Sequence, residues 1–226
     1  METRPELQDR KARILLVDDH PIVLRGLSVL VNQESDITVC GEAADAHNAL
    51  TAIEVLKPDL VIVDISLKGT NGLELIKSAK ALHAELPMLV LSIHSESLYA
   101  ERALRAGAMG YIMKEEMTEK LILAIRRVLK GEIYLSEKMS TNLLSQIIKH
   151  PLKENYLLEE SLTDRELEIF QLIGRGYGTR QIAEALKLSM KTVESHREHI
   201  KEKLKLKNAT ELLQRAFQWV QRLGFN

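Results

Sequence analysis

Ile14-Leu15-Leu16-Val17-Asp18-Asp19 and Leu60-Val61-Ile62-Val63-Asp64 are two apolar runs, and each ends abruptly in carboxylates. Four aliphatic residues in a row with no polar alternation describe a strand buried on both faces, as in a parallel sheet covered by helices. Ile37-Thr38-Val39-Cys40, Met88-Leu89-Val90-Leu91 and Tyr111-Ile112-Met113 repeat the pattern. Amphipathic stretches near 21–33, 45–56, 72–82 and 96–106 separate these runs, and a fifth follows at 118–130. The fifth places Leu121, Ala124, Ile125, Val128 and Leu129 on one stripe and stops at Gly131. Five β-α repeats predict an α/β fold with a doubly wound five-stranded parallel sheet, whose ligand binds at the carboxyl ends of the strands.

Beyond Gly131 the strand pattern ends. Leu143, Leu144, Ile147 and Ile148 have helical spacing before His150-Pro151 breaks the segment, so 131–160 reads as a linker carrying one short helix. From 161 to 226 every apolar pattern is helical. Thr163-Asp164-Arg165-Glu166 and Asn208-Ala209-Thr210-Glu211 both have the form of a capping box, and Gly174, Gly176 and Gly178 punctuate the join between the first two helices. Four short helices in about 60 residues predict a small all-α domain.

The net charge of −1 hides an asymmetry. Residues 1–130 hold 16 Lys/Arg against 19 Asp/Glu, and 131–160 hold 3 against 5, whereas 161–226 hold 12 against 8. The basic excess is confined to the C-terminal domain, where a polyanionic partner is expected. The longest apolar runs fall far short of the ~18–20 residues that span a bilayer, and Met1–Arg13 lacks the apolar core of a signal peptide. The single cysteine, Cys40, can form no internal disulfide and reads as a structural thiol. A cytoplasmic protein without membrane contact is the expectation.

In a doubly wound sheet the ends of the first and third strands are neighbours, so Asp18, Asp19 and Asp64 converge on one crevice. Three carboxylates together repel unless a cation shares the space, and oxygen-only ligands favour Mg²⁺. The same crevice receives Ser92 from the fourth strand and Lys114 from the fifth. A hydroxyl and an ammonium opposite a metal-bound carboxylate suit a phosphoryl group on that carboxylate.

This set of residues resembles the receiver domain of response regulators, a flavodoxin-like fold, over residues 11–130. The resemblance implies that Asp64 is the phosphoacceptor, attacking a phosphohistidine on a sensor histidine kinase. It implies further that Asp19 and Asp64 bind Mg²⁺ with the Ser66 carbonyl, that Asp18 acts close to the metal or through a bound water, and that Lys114 pairs with the acyl phosphate. Ser92 and Tyr111 become a switch pair, the hydroxyl moving toward phosphate and the ring turning inward behind it. One departure is Lys68, where the family usually has proline; its loss should loosen the loop beside the metal.

In the second domain, Thr179-Arg180-Gln181-Ile182-Ala183-Glu184-Ala185-Leu186 is followed by a turn at Leu188 and a plausible N-cap at Ser189. Val193, Ile200 and Leu204 share the inner face of the next helix, so Glu194, Ser195, Glu198 and Glu202 point away. Leu162–Leu213 closely resembles the LuxR-type helix-turn-helix in Leu162-Thr163-Asp164-Arg165-Glu166, Ile182-Ala183-Glu184-Ala185-Leu186 and Lys191-Thr192-Val193-Glu194-Ser195-His196. Joined to a receiver, it is similar to the NarL/FixJ class of transcription regulators.

That resemblance implies major-groove entry by 189–204 and a homodimer through the last helix, 208–222. Base-edge contacts fall to Glu194, Ser195 and Glu198, and phosphate contacts to Lys191, Thr192, Arg197 and Lys201. Glu194 and Glu198 can equally pair with Lys191 and Lys201 along the helix. His196 and His199 read as packing or backbone-contact residues, since no cysteine or third ligand is near them in sequence.

The expectation is therefore a regulator and not an enzyme: a transcription factor phosphorylated on Asp64, which promotes dimerisation and binding to double-stranded DNA. A Mg²⁺-dependent phosphohydrolase fits less well, because Ser66 stands where such enzymes carry an acid two residues after the acceptor. A regulator that binds DNA without phosphorylation is the remaining alternative.

Overall fold

The computed structural model describes residues 10–67, 70–149 and 161–222. The chain divides into two compact units, Met1–Pro151 and Leu152–Asn226. The first is the doubly wound sheet: β1 (Ala12–Val17), α1 (Pro21–Asn32), β2 (Ile37–Ala43), α2 (Ala46–Leu56), β3 (Leu60–Val63), α3 (Gly72–Leu82), β4 (Met88–Ser92), α4 (Glu96–Ala106), β5 (Gly110–Met113) and α5 (Met117–Leu129). The strand order is β2-β1-β3-β4-β5, with every pairing parallel.

Local chemistry sets the helix starts. Pro21 opens α1 with its φ already fixed. The Asp45 carboxylate accepts from Asn48 N at the start of α2, and Asn71 Oδ1 accepts from Leu73 N at the start of α3. One face of the sheet packs Ile14, Leu16, Ile62, Leu89 and Leu91 against Leu24 and Leu27 of α1 and Leu121, Ile125 and Val128 of α5. The stripe predicted for α5 is the buried one, except that Leu129 is only partly covered.

Past α5 the chain does not leave the sheet at once. Tyr134 N donates to Met109 O at 2.9 Å and Tyr111 N donates to Tyr134 O at 3.0 Å, so Tyr134 continues the parallel ladder on the β5 edge. Helix α6 (Glu137–Lys149) then begins at Ser136, whose Oγ accepts from Met139 N, and it packs on α4. It starts well before the Leu143–Ile148 spacing because that start is a polar cap, which apolar periodicity does not report. His150-Pro151 lies outside the described residues.

The second unit contains α7 (Asp164–Gly174), α8 (Thr179–Ala185), α9 (Met190–Leu204) and α10 (Ala209–Arg222). Thr163 and Glu166 form the full reciprocal capping box at α7. At α10 the reciprocal bond is displaced by one residue: Asn208 Oδ1 accepts from Glu211 N, but Glu211 accepts from Lys207 N. Phe170 and Trp219 meet with ring centroids 5.4 Å apart, and Gly174 lets α7 and α10 approach. A Cβ at Gly174 would lie 2.4 Å from Ala216 O and 2.5 Å from Val220 Cγ2. No helix among the described residues is long and apolar enough to cross a membrane.

Gly174→Ala is therefore expected to lower the stability of the second unit by about 1–3 kcal/mol through overpacking against α10. Trp219, the single tryptophan, reports this unit directly: its fluorescence in a urea titration should show an earlier midpoint in the variant.

Candidate functional site

The register of the sheet brings the predicted acids together. Asp64 N donates to Val17 O and Asp18 N donates to Ala43 O, which holds the residues after β3 and β1 level with one another. Gly72, the first residue of α3, packs on the Asp64 backbone so closely that a Cβ there would sit 2.0 Å from Asp64 O. Asp18 and Asp64 are each 2% exposed. Lys114, just past β5, reaches back with Nζ 2.6 Å from Asp18 Oδ2 and 2.7 Å from Asp64 Oδ2. One ligand atom each from Asp18, Asp19, His20 and Asp64 lies within 4.8 Å of the others.

Three carboxylates face one ammonium in this pocket. Burial pushes the Asp64 carboxyl above its ordinary value; Lys114 opposes the shift and Asp18 adds to it. Burial alone would lower the Lys114 ammonium, but Asp64 and Asp18 hold it above its ordinary value. Asp64 Oδ1 is buried without a hydrogen-bond partner among the described residues. Three carboxylates with surplus negative charge and a buried carboxylate oxygen still to be satisfied suit a hard divalent cation, with His20 the one nitrogen donor at the edge of the cluster.

Ser92 and Tyr111 stand beside the acids, 0% and 1% exposed. The Tyr111 hydroxyl donates to His94 O at 2.8 Å, with the ring already turned inward, and burial pushes its phenol well up. His94 is the residue that sequence reasoning missed. Its backbone N–H donates to Ser92 Oγ at 3.2 Å, its Nε2 shares a 2.8 Å hydrogen bond with Ser66 Oγ, and its ring packs 4.7 Å from that of Tyr99 on α4. It thereby joins the loop after β3, the end of β4, β5 and α4. His20 was also missed: its Nδ1 lies 3.1 Å from Asp18 and 2.8 Å from Asp19. Its position next to the acidic pair was the available signal; nothing in the spacing singles out His94. Lys68 lies outside the described residues.

In the second unit, α8 and α9 form the expected helix-turn-helix, with Lys187 in the left-handed region at φ 54° within the turn. Ser189 caps α9 by accepting from Thr192 N at 3.0 Å. Val193, Ile200 and Leu204 are buried, while Lys191, Glu194, Ser195 and Glu198 are exposed and Thr192, Arg197 and Lys201 are half-buried. The Thr192 hydroxyl is shared with Ser189, and Glu198 pairs with Lys201 at 2.8 Å along the helix. On α10, Leu213 and Phe217 remain about half exposed, one turn apart.

Residues 14–126 match the response regulator receiver domain, and residues 160–216 match the luxR family of bacterial regulatory proteins. The oxygen regulatory protein NreC of Staphylococcus haemolyticus is 38% identical over 208 residues, covering 90% of this chain and 96% of that one. A solved structure of RcsB from Salmonella enterica serovar Typhimurium, bound to promoter rprA in the presence of the phosphomimetic BeF3−, is 25% identical with a TM-score of 0.58, covering 91% of this chain and 98% of the other. A second RcsB structure, two dimers bound to two parallel DNAs, is 26% identical with a TM-score of 0.56 over 91% and 97% of the two chains. With each unit matched by its own family and nine-tenths of the length aligned to NreC, this chain belongs to the response regulators that join a receiver domain to a luxR-family DNA-binding domain.

Proposed function

We propose that the receiver spans 11–130 and takes a phosphoryl group on Asp64, and that 161–226 responds by dimerising on DNA, with 131–160 between them. The observation that carries this reading is the Lys114 ammonium set between Asp18 and Asp64, with Asp64 Oδ1 buried and unpartnered among the described residues. An Asp64 oxygen attacks the phosphorus of a phosphohistidine on a sensor histidine kinase. The P–N bond breaks, the imidazole leaves, and an acyl phosphate remains on the carboxylate. Lys114 follows the new negative charge onto the phosphoryl oxygens. Mg²⁺ held by Asp19, Asp64 and the Ser66 carbonyl, with Asp18 close by, supplies charge neutralisation there when bound.

Ser92 moves its hydroxyl toward the phosphoryl group, and the pull passes through His94 to Tyr99 and α4. From α4 the route continues to α6, because Glu96 accepts from Ser136 N at 2.8 Å. In the second unit Lys191, Thr192, Arg197 and Lys201 meet phosphates, and Glu194, Ser195 and Glu198 meet base edges. Glu198 must exchange its Lys201 partner for a cytosine amino group to do so. Leu213 and Phe217 supply an apolar face for the homodimer.

With Mg²⁺ and acetyl phosphate, the full chain is expected to gain one phosphoryl mass and shift from monomer to dimer. Asp64→Asn should do neither, and an adduct on that variant would overturn the assignment. Because the Asp64 carboxyl is raised, its attacking carboxylate form is lost as pH falls through a value above the ordinary aspartate range. The metal-free fold is relieved of a buried charge over the same interval. In metal-free buffer at pH 7, Asp64→Asn should therefore melt no lower than wild type. Glu96→Ala should form the adduct at wild-type yield. Its phosphorylation-dependent gain in DNA affinity, on the order of 5–150-fold for couplings of this kind, should fall several-fold in a mobility-shift titration.

A further inference from the structure

His196 and His199 are three residues apart on α9, so their rings share one face of the helix that carries the proposed DNA contacts. Their centroids are 6.4 Å apart and nearly perpendicular. The sequence offers them no third ligand. The fold does: Glu166, at the start of α7, is 3% exposed and faces them, and one ligand atom from each of the three lies within 4.8 Å of the others. We infer that Glu166, His196 and His199 form a binding site for a transition-metal cation of the Zn²⁺ class, clamping the first turn of α7 to the middle of α9.

Four observations support the site. His196 Nδ1 is buried without a hydrogen-bond partner among the described residues, and a metal ion is one way of satisfying such a nitrogen. Burial lowers the His196 imidazolium below its ordinary value, with Arg165, His199 and Lys203 adding to the shift and Glu166 opposing it, which favours the neutral form that ligates. Burial works against the charge of Glu166, but Lys203 and Thr163 outweigh it and keep the carboxylate ionised.

The fourth observation is that the Glu166 carboxylate already holds a cation. Lys203 Nζ lies 2.6 Å from Glu166 Oε2, which also accepts from Thr163 N at 2.7 Å. The Lys203 side chain is 35% exposed and its flexible stem leads to solvent, so it can withdraw when a divalent ion takes its place. Tetrahedral bonds of 2.0–2.1 Å bring ligand atoms to about 3.3 Å from one another. Exposed His199 can close that gap by rotating its side chain.

Two imidazoles and one carboxylate leave a fourth position open, and two nitrogen donors to one carboxylate separate this site from the first-unit pocket, where three carboxylates stand against the single imidazole of His20. Occupancy fixes α9 relative to α7. The DNA-binding helix thereby gains a response to metal that is independent of Asp64.

The test uses the full chain in saturating Mg²⁺, which fills the carboxylate pocket, titrated with Zn²⁺ by calorimetry and with Co²⁺ by visible absorption. The expected result is one further Zn²⁺ per chain and the intense Co²⁺ band of a four-coordinate, nitrogen-containing site. His199→Gln, at an exposed position, should keep the wild-type melting temperature in metal-free buffer and weaken Zn²⁺ binding roughly tenfold or more. Lys203→Met should tighten it, and Asp64→Asn should leave it unchanged. No additional equivalent, equal affinity in His199→Gln, or loss of binding in Asp64→Asn would each overturn the proposal.

Discussion

The ammonium of Lys114 between Asp18 and Asp64 is the contact on which the first unit is organised. It draws together the carboxyl ends of β1, β3 and β5, three strands that the chain visits far apart in sequence. It offsets only part of the negative charge there, and burial of Asp64 keeps the remainder costly. Holding buried carboxylates this close together costs stability, and a cation that neutralises them relieves that cost. His94 borders the pocket and touches Ser66, Ser92, Tyr111 and Tyr99 at once.

The apolar runs carried most of the first unit in plain view. A strand buried on both faces leaves a run that no surface helix produces, and an acid directly after it is placed by the sheet without further information. Asp18, Asp19, Asp64, Ser92 and Lys114 were legible for that reason. His94 was not, because it sits in the loop after β4 and its partners belong to three other elements. The start of α6 was missed because Ser136 sets it through a hydrogen bond to Met139 N, while its apolar pattern begins a turn and a half later.

The second unit shows a similar limit. Val193, Ile200 and Leu204 could be assigned inward by period alone, and α9 buries them. The question of Glu198 could not be settled that way; the helix pairs it with Lys201, one of the two arrangements left open by spacing. Glu166 looked like a capping residue and is one. Its second neighbourhood, His196 and His199, depends on how α7 crosses α9, and crossing geometry comes from packing that a linear pattern does not encode.

Tyr134 has a consequence for the edge of the sheet. A parallel sheet of five strands has two open flanks, and β5 forms one of them with backbone groups able to template another chain. Tyr134 covers that flank by bonding Met109 O and Tyr111 N. The cover sits just before α6, which is fastened to α4 through Glu96 and Ser136. A rearrangement that carried α6 away would also peel back this short stretch and leave a bare strand flank open to pairing with another chain.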